Sequence, residues 1–151
     1  MDKKSGEGRF ESATGDVYSG EWADDQQHGH GVYTYTNGDT YEGEYSQGQM
    51  HGHGKFCYKN GDIYDGDWQY DRKHGFGTFI YESGNVYRGV SVNGKMEGRG
   101  IFTYVNGDEY NGHWVKGKMH GRGRFVWSNG EVFDGDWAND VMIPESQKNV
   151  D

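Results

Sequence analysis

The chain of 151 residues has no leucine, one proline and one cysteine. Without leucine, and with sparse isoleucine and valine, it lacks the material for a layered aliphatic core. Only 32% of the residues are hydrophobic and aromatics make up 16% of the chain, so any core must be built largely from rings. The longest apolar run is three residues, too short for a membrane-spanning helix. The opening residues, MDKKSGEGRF, lack the apolar stretch of a signal peptide. A single cysteine, Cys57, excludes an internal disulfide framework and points to a reducing, cytoplasmic setting. Bases are also scarce: the net charge is −9. Residues 1–70 hold 13 acids and 5 bases, residues 71–151 hold 11 and 10, and the stretch from Lys95 to Arg124 holds six bases against three acids. Such a chain repels nucleic acid, while its one basic stretch remains able to attract anions.

What is abundant is glycine, with 27 copies, and it recurs in register. Tyr18-Ser19-Gly20-Glu21-Trp22 returns as Tyr41-Glu42-Gly43-Glu44-Tyr45 and Tyr64-Asp65-Gly66-Asp67-Trp68. It continues as Tyr87-Arg88-Gly89-Val90-Ser91, Tyr110-Asn111-Gly112-His113-Trp114 and Phe133-Asp134-Gly135-Asp136-Trp137. Every step is 23 residues, without insertion. Between these motifs lie paired glycines, then Tyr33, Phe56, Phe79, Phe102 or Phe125, a second aromatic two residues on, and a turn glycine such as Gly38 or Gly61. A fixed period of this length marks a repeat array. The expected layout is a flexible 1–5, a half repeat at 6–17, full repeats starting at 18, 41, 64, 87 and 110, a half repeat at 133–143 and a polar tail at 144–151.

Within a repeat the alternation is that of strands. In an antiparallel hairpin Tyr41 faces Phe56, Gly43 faces Gly54 and Tyr45 faces Gly52, so each large ring meets another ring or a bare glycine. Parity constrains the next turn. A two-residue Asn37-Gly38 loop would set Tyr35 against Thr40, which points to the other face. A three-residue loop, Thr36-Asn37-Gly38, restores agreement and calls for a left-handed glycine. The expectation is an all-β protein: about twelve short strands in an elongated, twisted, single-layer antiparallel meander with one aromatic and glycine-lined groove.

The recurring YxGxW, HGxGxF/Y and NGD pattern resembles the MORN-repeat family (membrane occupation and recognition nexus) over residues 6–138. The resemblance implies a non-enzymatic scaffold or adaptor that binds protein partners, in cytoskeletal assemblies such as radial-spoke-like components of cilia or the cortex of parasites. Its alternative implication is a peripheral membrane tether for acidic phospholipids, phosphoinositides above all. No nucleophile lies in a recognisable catalytic setting, the glycines suit strand packing rather than a phosphate loop, and no cofactor is called for.

Three groups of residues are candidate contacts. The aromatic groove comprises Tyr18, Trp22, Tyr33, Tyr41, Tyr45, Phe56, Tyr64, Trp68, Phe79, Tyr87, Phe102, Tyr110, Trp114 and Phe125, with a structural or peptide-binding role. Phe76 and Val90 replace charged residues of the outer face and, with Ile80, Val86 and Ile101, form a candidate partner patch. Lys95, Arg99, Lys116 and Lys118 are candidate anion or lipid contacts, Arg122 and Arg124 being set against Asp136 and Asp134 by the register. The recurring histidines His28, His30, His51 and His53 have strand spacing for metal. Equivalent positions should lie about 10 Å apart, so a solvent face with cross-strand pairs, such as His53 with Asp67, is the reading adopted. Met142, Ile143 and Pro144 are placed to cap the last strand or to seed a homodimer through the C-terminal edge. Ser91, in place of a ring, marks a bend, a pocket or drift.

Overall fold

A computed structural model describes residues 3–144; the outermost parts of the expected flexible start and polar tail, 1–2 and 145–151, lie outside the described residues. All secondary structure among the described residues is β. The strands are β1 Gly6–Glu11, β2 Val17–Ala23, β3 Gln26–Thr34, β4 Thr40–Ser46, β5 Gln49–Cys57, β6 Ile63–Gln69, β7 Arg72–Ile80, β8 Val86–Val92, β9 Lys95–Thr103, β10 Glu109–Val115, β11 Lys118–Val126, β12 Val132–Ala138 and β13 Val141–Ile143. They form one antiparallel sheet in chain order. Of the two roles open to Met142 and Ile143, the thirteenth strand takes the first and covers the edge of β12: Met142 pairs with Trp137 and Val141 with Ala138. The chain divides into two compact bodies after His74.

In the first body the alternation of Thr40–Ser46 puts Tyr41, Gly43 and Tyr45 on the buried face and Glu42 and Glu44 in solvent. The turn at Asn37 closes as parity requires. Gly38 N–H donates to Tyr35 O at 3.0 Å, Tyr35 N–H donates to Asp39 O at 2.9 Å, and Gly38 has φ 102°. The loop is therefore Thr36-Asn37-Gly38, and Tyr33 pairs with both Tyr18 and Tyr41. The other turn has two residues. Ser46 pairs with Gln49, and Gln47 and Gly48 both have positive φ (51° and 79°), as a type I′ turn demands.

That short turn corrects one expectation. Tyr41 faces Phe56 and Gly43 faces Gly54, but Tyr45 faces Met50, not Gly52. The tight turn brings Ser46 and Gln49 together, two residues out of step with the Tyr41 register, and a bulge absorbs the difference. Gly52 takes φ 67° there, and the Glu44 carboxylate accepts a hydrogen bond from His53 N–H at 2.6 Å across the gap. Residues His30 and Glu21 repeat the arrangement at the same distance.

Side chains also staple each turn to the same turn one repeat on. Asp16 accepts from Thr36 N–H at 2.8 Å, and Asp39 accepts from Lys59 N–H at 2.8 Å. At the opposite ends of the strands Asp71 accepts from Met50 N–H at 2.8 Å.

The second body repeats this plan. Tyr87 faces Phe79 and Phe102, Tyr110 faces Phe102 and Phe125, and bulges follow Gly89 and Gly112. Asn85 and Asp108 supply the staples to Val105 and Ser128 N–H, at 2.9 and 2.8 Å. Its core is Tyr87, Tyr110, Trp114, Met119, Phe125 and Trp137.

Candidate functional site: an aromatic face and its reverse

The candidate groove residues share the face that the repeats bury. Tyr18, Tyr41, Tyr64, Tyr87 and Tyr110 are each no more than 2% exposed. Such a ring fits only over glycine: a Cβ added at Gly54 would land on the Tyr41 ring, and one at Gly123 on the Tyr110 ring. A hydroxyl buried this deeply needs an acceptor. Each of the five donates to the backbone carbonyl three residues on, Tyr18 to Glu21, Tyr41 to Glu44, Tyr64 to Asp67, Tyr87 to Val90 and Tyr110 to His113, at 2.7–2.9 Å. In four of the five repeats the acceptor residue is the one skipped by a register shift. Phe133, which has no hydroxyl, heads a strand whose pairing with β13 shows no shift.

Tryptophan has an equally local reason. Trp22, Trp68, Trp114 and Trp137 each donate Nε1–H to the carbonyl of a glycine 14 residues earlier, at 2.9–3.1 Å. Their rings also meet tyrosines edge-on. Tyr41–Trp68 and Tyr87–Trp114 are 5.5 Å apart, and Tyr110–Trp137 is 5.2 Å. Tyr45 keeps the contact, 5.3 Å from Tyr18, without the indole bond. Such pairs contribute about 0.5–1.5 kcal/mol each beyond burial. Ser91, which replaces the ring, is buried at 6% and faces Met96.

Above these rings lies a second row that the candidate set omitted. In the first body Tyr35 sits 4.4 Å from Tyr33 and 5.7 Å from Phe56, and Tyr58 sits 4.5 Å from Phe56. In the second, Tyr81 lies between Phe79 (4.4 Å) and Phe102 (5.7 Å), Tyr104 between Phe102 (4.7 Å) and Phe125 (5.9 Å), and Trp127 against Phe125 (4.7 Å). All five are half-buried, so each body presents a row of accessible rings. The signal was in the sequence: a second aromatic always follows the first by two residues, on the same face of the strand.

Burial, reinforced by nearby carboxylates, pushes the Tyr18, Tyr35, Tyr58 and Tyr64 hydroxyls up to about 12. Burial also takes Tyr110 to about 12 and raises Tyr41 and Tyr45 further. The hydroxyls of the face are therefore neutral, and lysines sit over its rings at two places: Lys4 Nζ lies 4.9 Å from the Phe10 ring centre and 5.1 Å from Trp22, and Lys73 lies further along. Lys73 occupies the position held by Met50, Met96 and Met119 elsewhere, and burial lowers its pKa. Its Nζ lies 5.1 Å from the Tyr58 ring centre, 5.5 Å from Tyr64 and 5.7 Å from Trp68, and bonds the Tyr58 hydroxyl.

The reverse face carries the charges. The expected registers hold, with His53 opposite Asp67 and Arg122 opposite Asp136. The tighter contacts are diagonal, however: His53 Nε2 is 2.8 Å from Asp65 against 3.8 Å for its Nδ1 and Asp67, and Arg122 is 3.1 Å from Asp134. Strand twist brings diagonal neighbours on one side within reach of long side chains. No group of three or more His, Cys, Asp or Glu among the described residues could hold a metal ion. Phe76 is opposite Val90 and Ile80 opposite Val86, while Ile101 is opposite Arg88. The basic candidates do not share one surface position. Lys95, Lys116 and Lys118 flank or occupy the two-residue turns, where the Glu97 carboxylate accepts from Lys116 N–H at 3.1 Å. Arg99 projects from mid-strand opposite His113.

The family model of the MORN repeat matches residues 1–17, 18–40, 41–63, 64–86, 87–109 and 110–132. The chain belongs to the MORN-repeat family. No curated protein matches it. Among solved structures it is similar to the TCP domain of SAS-4 (dCPAP) from Drosophila melanogaster, solved in complex with a proline-rich motif of Ana2 (dSTIL). The likeness is one of fold, at TM-score 0.54 and 12% identity, covering 87% of this chain and 73% of that one. A virginiamycin B lyase from Staphylococcus aureus aligns at TM-score 0.22 and 14% identity, over 92% of this chain but 44% of the lyase.

Proposed function

We propose that this protein is a non-enzymatic MORN-repeat scaffold whose aromatic face takes up extended, proline-rich segments of partner proteins. The observation that carries this is the row of accessible rings, Tyr81, Tyr104 and Trp127 in the second body and Tyr35 and Tyr58 in the first. Prolines in a polyproline II segment are held extended before binding, so they dock on aromatic ridges at little entropic cost. The similarly folded SAS-4 domain, whose structure contains a proline-rich motif, supports the choice of ligand. A cytoplasmic, cytoskeleton-associated setting and protein partners of that setting are part of the same proposal, to be tested by affinity purification from the native cell.

The direct test is NMR titration of the full chain with a proline decapeptide and with an equal-length glycine–serine peptide. Shifts should concentrate on Tyr81, Tyr104 and Trp127, and Tyr104→Ala should weaken binding at least tenfold without unfolding the chain. Equal response to the two peptides counts against the proposal. Liposome co-sedimentation tests the membrane-tether alternative: a scaffold stays in the supernatant with and without phosphoinositides.

A further inference from the structure

On the reverse face of the second body, three strands break the charge pattern of the other repeats together. The position of Arg88 holds an acid in three other repeats, Glu42, Asp65 and Asp134, and two of these take the imidazole of the preceding strand while Asp134 takes Arg122. Here the acid has become an arginine, and the residue that would face it is Thr78. Two residues on, the position of Glu44 and Asp67 is Val90, and the facing residue is Phe76.

The exchange leaves a basic group framed by apolar ones. Arg88 lies between Thr78 and Ile101 across the sheet, and between Val86 and Val90 along its own strand. Phe76 is 60% exposed and Ile80 39%. Directly opposed side chains in a sheet are about 4.5–5.5 Å apart at Cβ, so these groups form one surface. Arg99 borders it. Among the described residues neither Arg88 nor Arg99 has a carboxylate within ion-pair distance. A lone surface valine means little, but a cluster of apolar groups around two unpaired guanidiniums is unlike the acid-bearing reverse face of β4 and β6.

We infer that this surface docks an acidic–apolar segment of a partner protein, one whose carboxylate reaches Arg88 while flanking large apolar side chains cover Phe76, Val90 and Ile101. The apolar rim excludes water and strengthens the arginine–carboxylate pairing, and the planar guanidinium favours two parallel hydrogen bonds to one carboxylate. Residues 1–70, with 13 acids against 5 bases, repel the same segment, which disfavours docking on that half of the chain. The inference shares with the proposed function only the reading of the chain as a protein-binding scaffold; the face and the ligand chemistry differ.

The experiment is selection of a displayed random dodecapeptide library on the immobilised full chain. Each enriched peptide is then measured against Arg88→Glu, Phe76→Ser and Tyr104→Ala, after thermal unfolding has verified that each variant is folded. The expected result is a class of peptides bearing an acid flanked by apolar residues, weakened at least tenfold by Arg88→Glu and by Phe76→Ser but not by Tyr104→Ala. Replacing that acid by glutamine should reproduce the loss. The inference is overturned if every enriched peptide depends on Tyr104 alone, a result that leaves the proline-binding proposal standing. It is also overturned if the Arg88-dependent peptides lack an acid, or if the two reverse-face variants change only sedimentation with phosphoinositide liposomes.

Discussion

The tyrosine hydroxyls offer a sharp test of why the repeat uses Tyr rather than Phe. Tyr41 is 0% exposed, and its hydroxyl donates at 2.8 Å to the carbonyl of Glu44, where the ladder to β5 is interrupted. Tyr41→Phe removes one oxygen, too little to open a cavity that water would fill. The loss is then that of a buried hydrogen bond plus the desolvation of a carbonyl left without its donor, about 1–3 kcal/mol. For a chain of this size each kcal/mol lowers the melting temperature by about 2–4 °C. Urea denaturation followed by tryptophan fluorescence, with Trp22 and Trp68 flanking the site, reads the change directly. Phe133→Tyr is the control, because no register shift frees a carbonyl there; it should alter stability by less than about 0.5 kcal/mol. The reasoning fails if Tyr41→Phe costs less than the control, or if the added hydroxyl of Phe133→Tyr stabilises as much as the lost one destabilises.

Two further outcomes are expected. Tyr18, Tyr64 and Tyr110 have folded pKa values near 12 because they are buried; the unfolded value is about 10. Their raised values favour the folded chain fully below pH 10 and lose that contribution as the pH climbs toward 12. Thermal melts from pH 8 to 12 should therefore fall only in the upper half of that range, and a flat profile to pH 12 would contradict the assignment. At the short turn after β6, Tyr70 holds φ 50° with its ring 65% exposed, a backbone region that suits asparagine far better than a bulky side chain. Tyr70→Asn should raise stability by about 0.5–1 kcal/mol in the same denaturation assay, and a decrease would show that the exposed ring has a role in folding.

Much of the sheet was legible because the period exposes it. Six copies of one motif state which positions must be ring, glycine or turn, and parity alone fixes the three-residue loop at Asn37. Register beyond Gly43 was not legible. The pattern from Tyr41 to Gly43 extrapolates smoothly to Tyr45 opposite Gly52, and nothing in residue identity announces that the two-residue turn at Gln47-Gly48 pulls the strands two residues out of step. The histidines of that segment looked like a site because His51 and His53 have the i, i+2 spacing of a regular strand, whereas Gly52 between them takes φ 67° in the bulge. The half-buried row of Tyr35, Tyr58, Tyr81, Tyr104 and Trp127 was visible as a recurrence but not as a surface, since alternation assigns a face without saying how deeply a ring sits in it. Arg88 escaped for a different reason. An arginine among charged outer residues looks ordinary until the register sets it among Thr78, Ile101, Val86 and Val90, none of them an acid.

The staples between turns have a consequence for how such a chain grows. A repeat with the full motif holds both halves of its seam: an aspartate or asparagine that reaches the turn 20 residues ahead, and an indole that reaches the glycine 14 residues behind. A duplicated 23-residue cassette therefore arrives with its own fasteners and needs no matching change elsewhere, so unequal crossing-over can lengthen the array in one genetic event. Residues 41–63 and 87–109 are the poorer templates, since Tyr45 and Ser91 lack the indole. The cassettes beginning at Tyr18 and Tyr64 carry the full set, Trp22 with Asp39 and Trp68 with Asn85, and copies of these are the ones that would splice in with least disturbance.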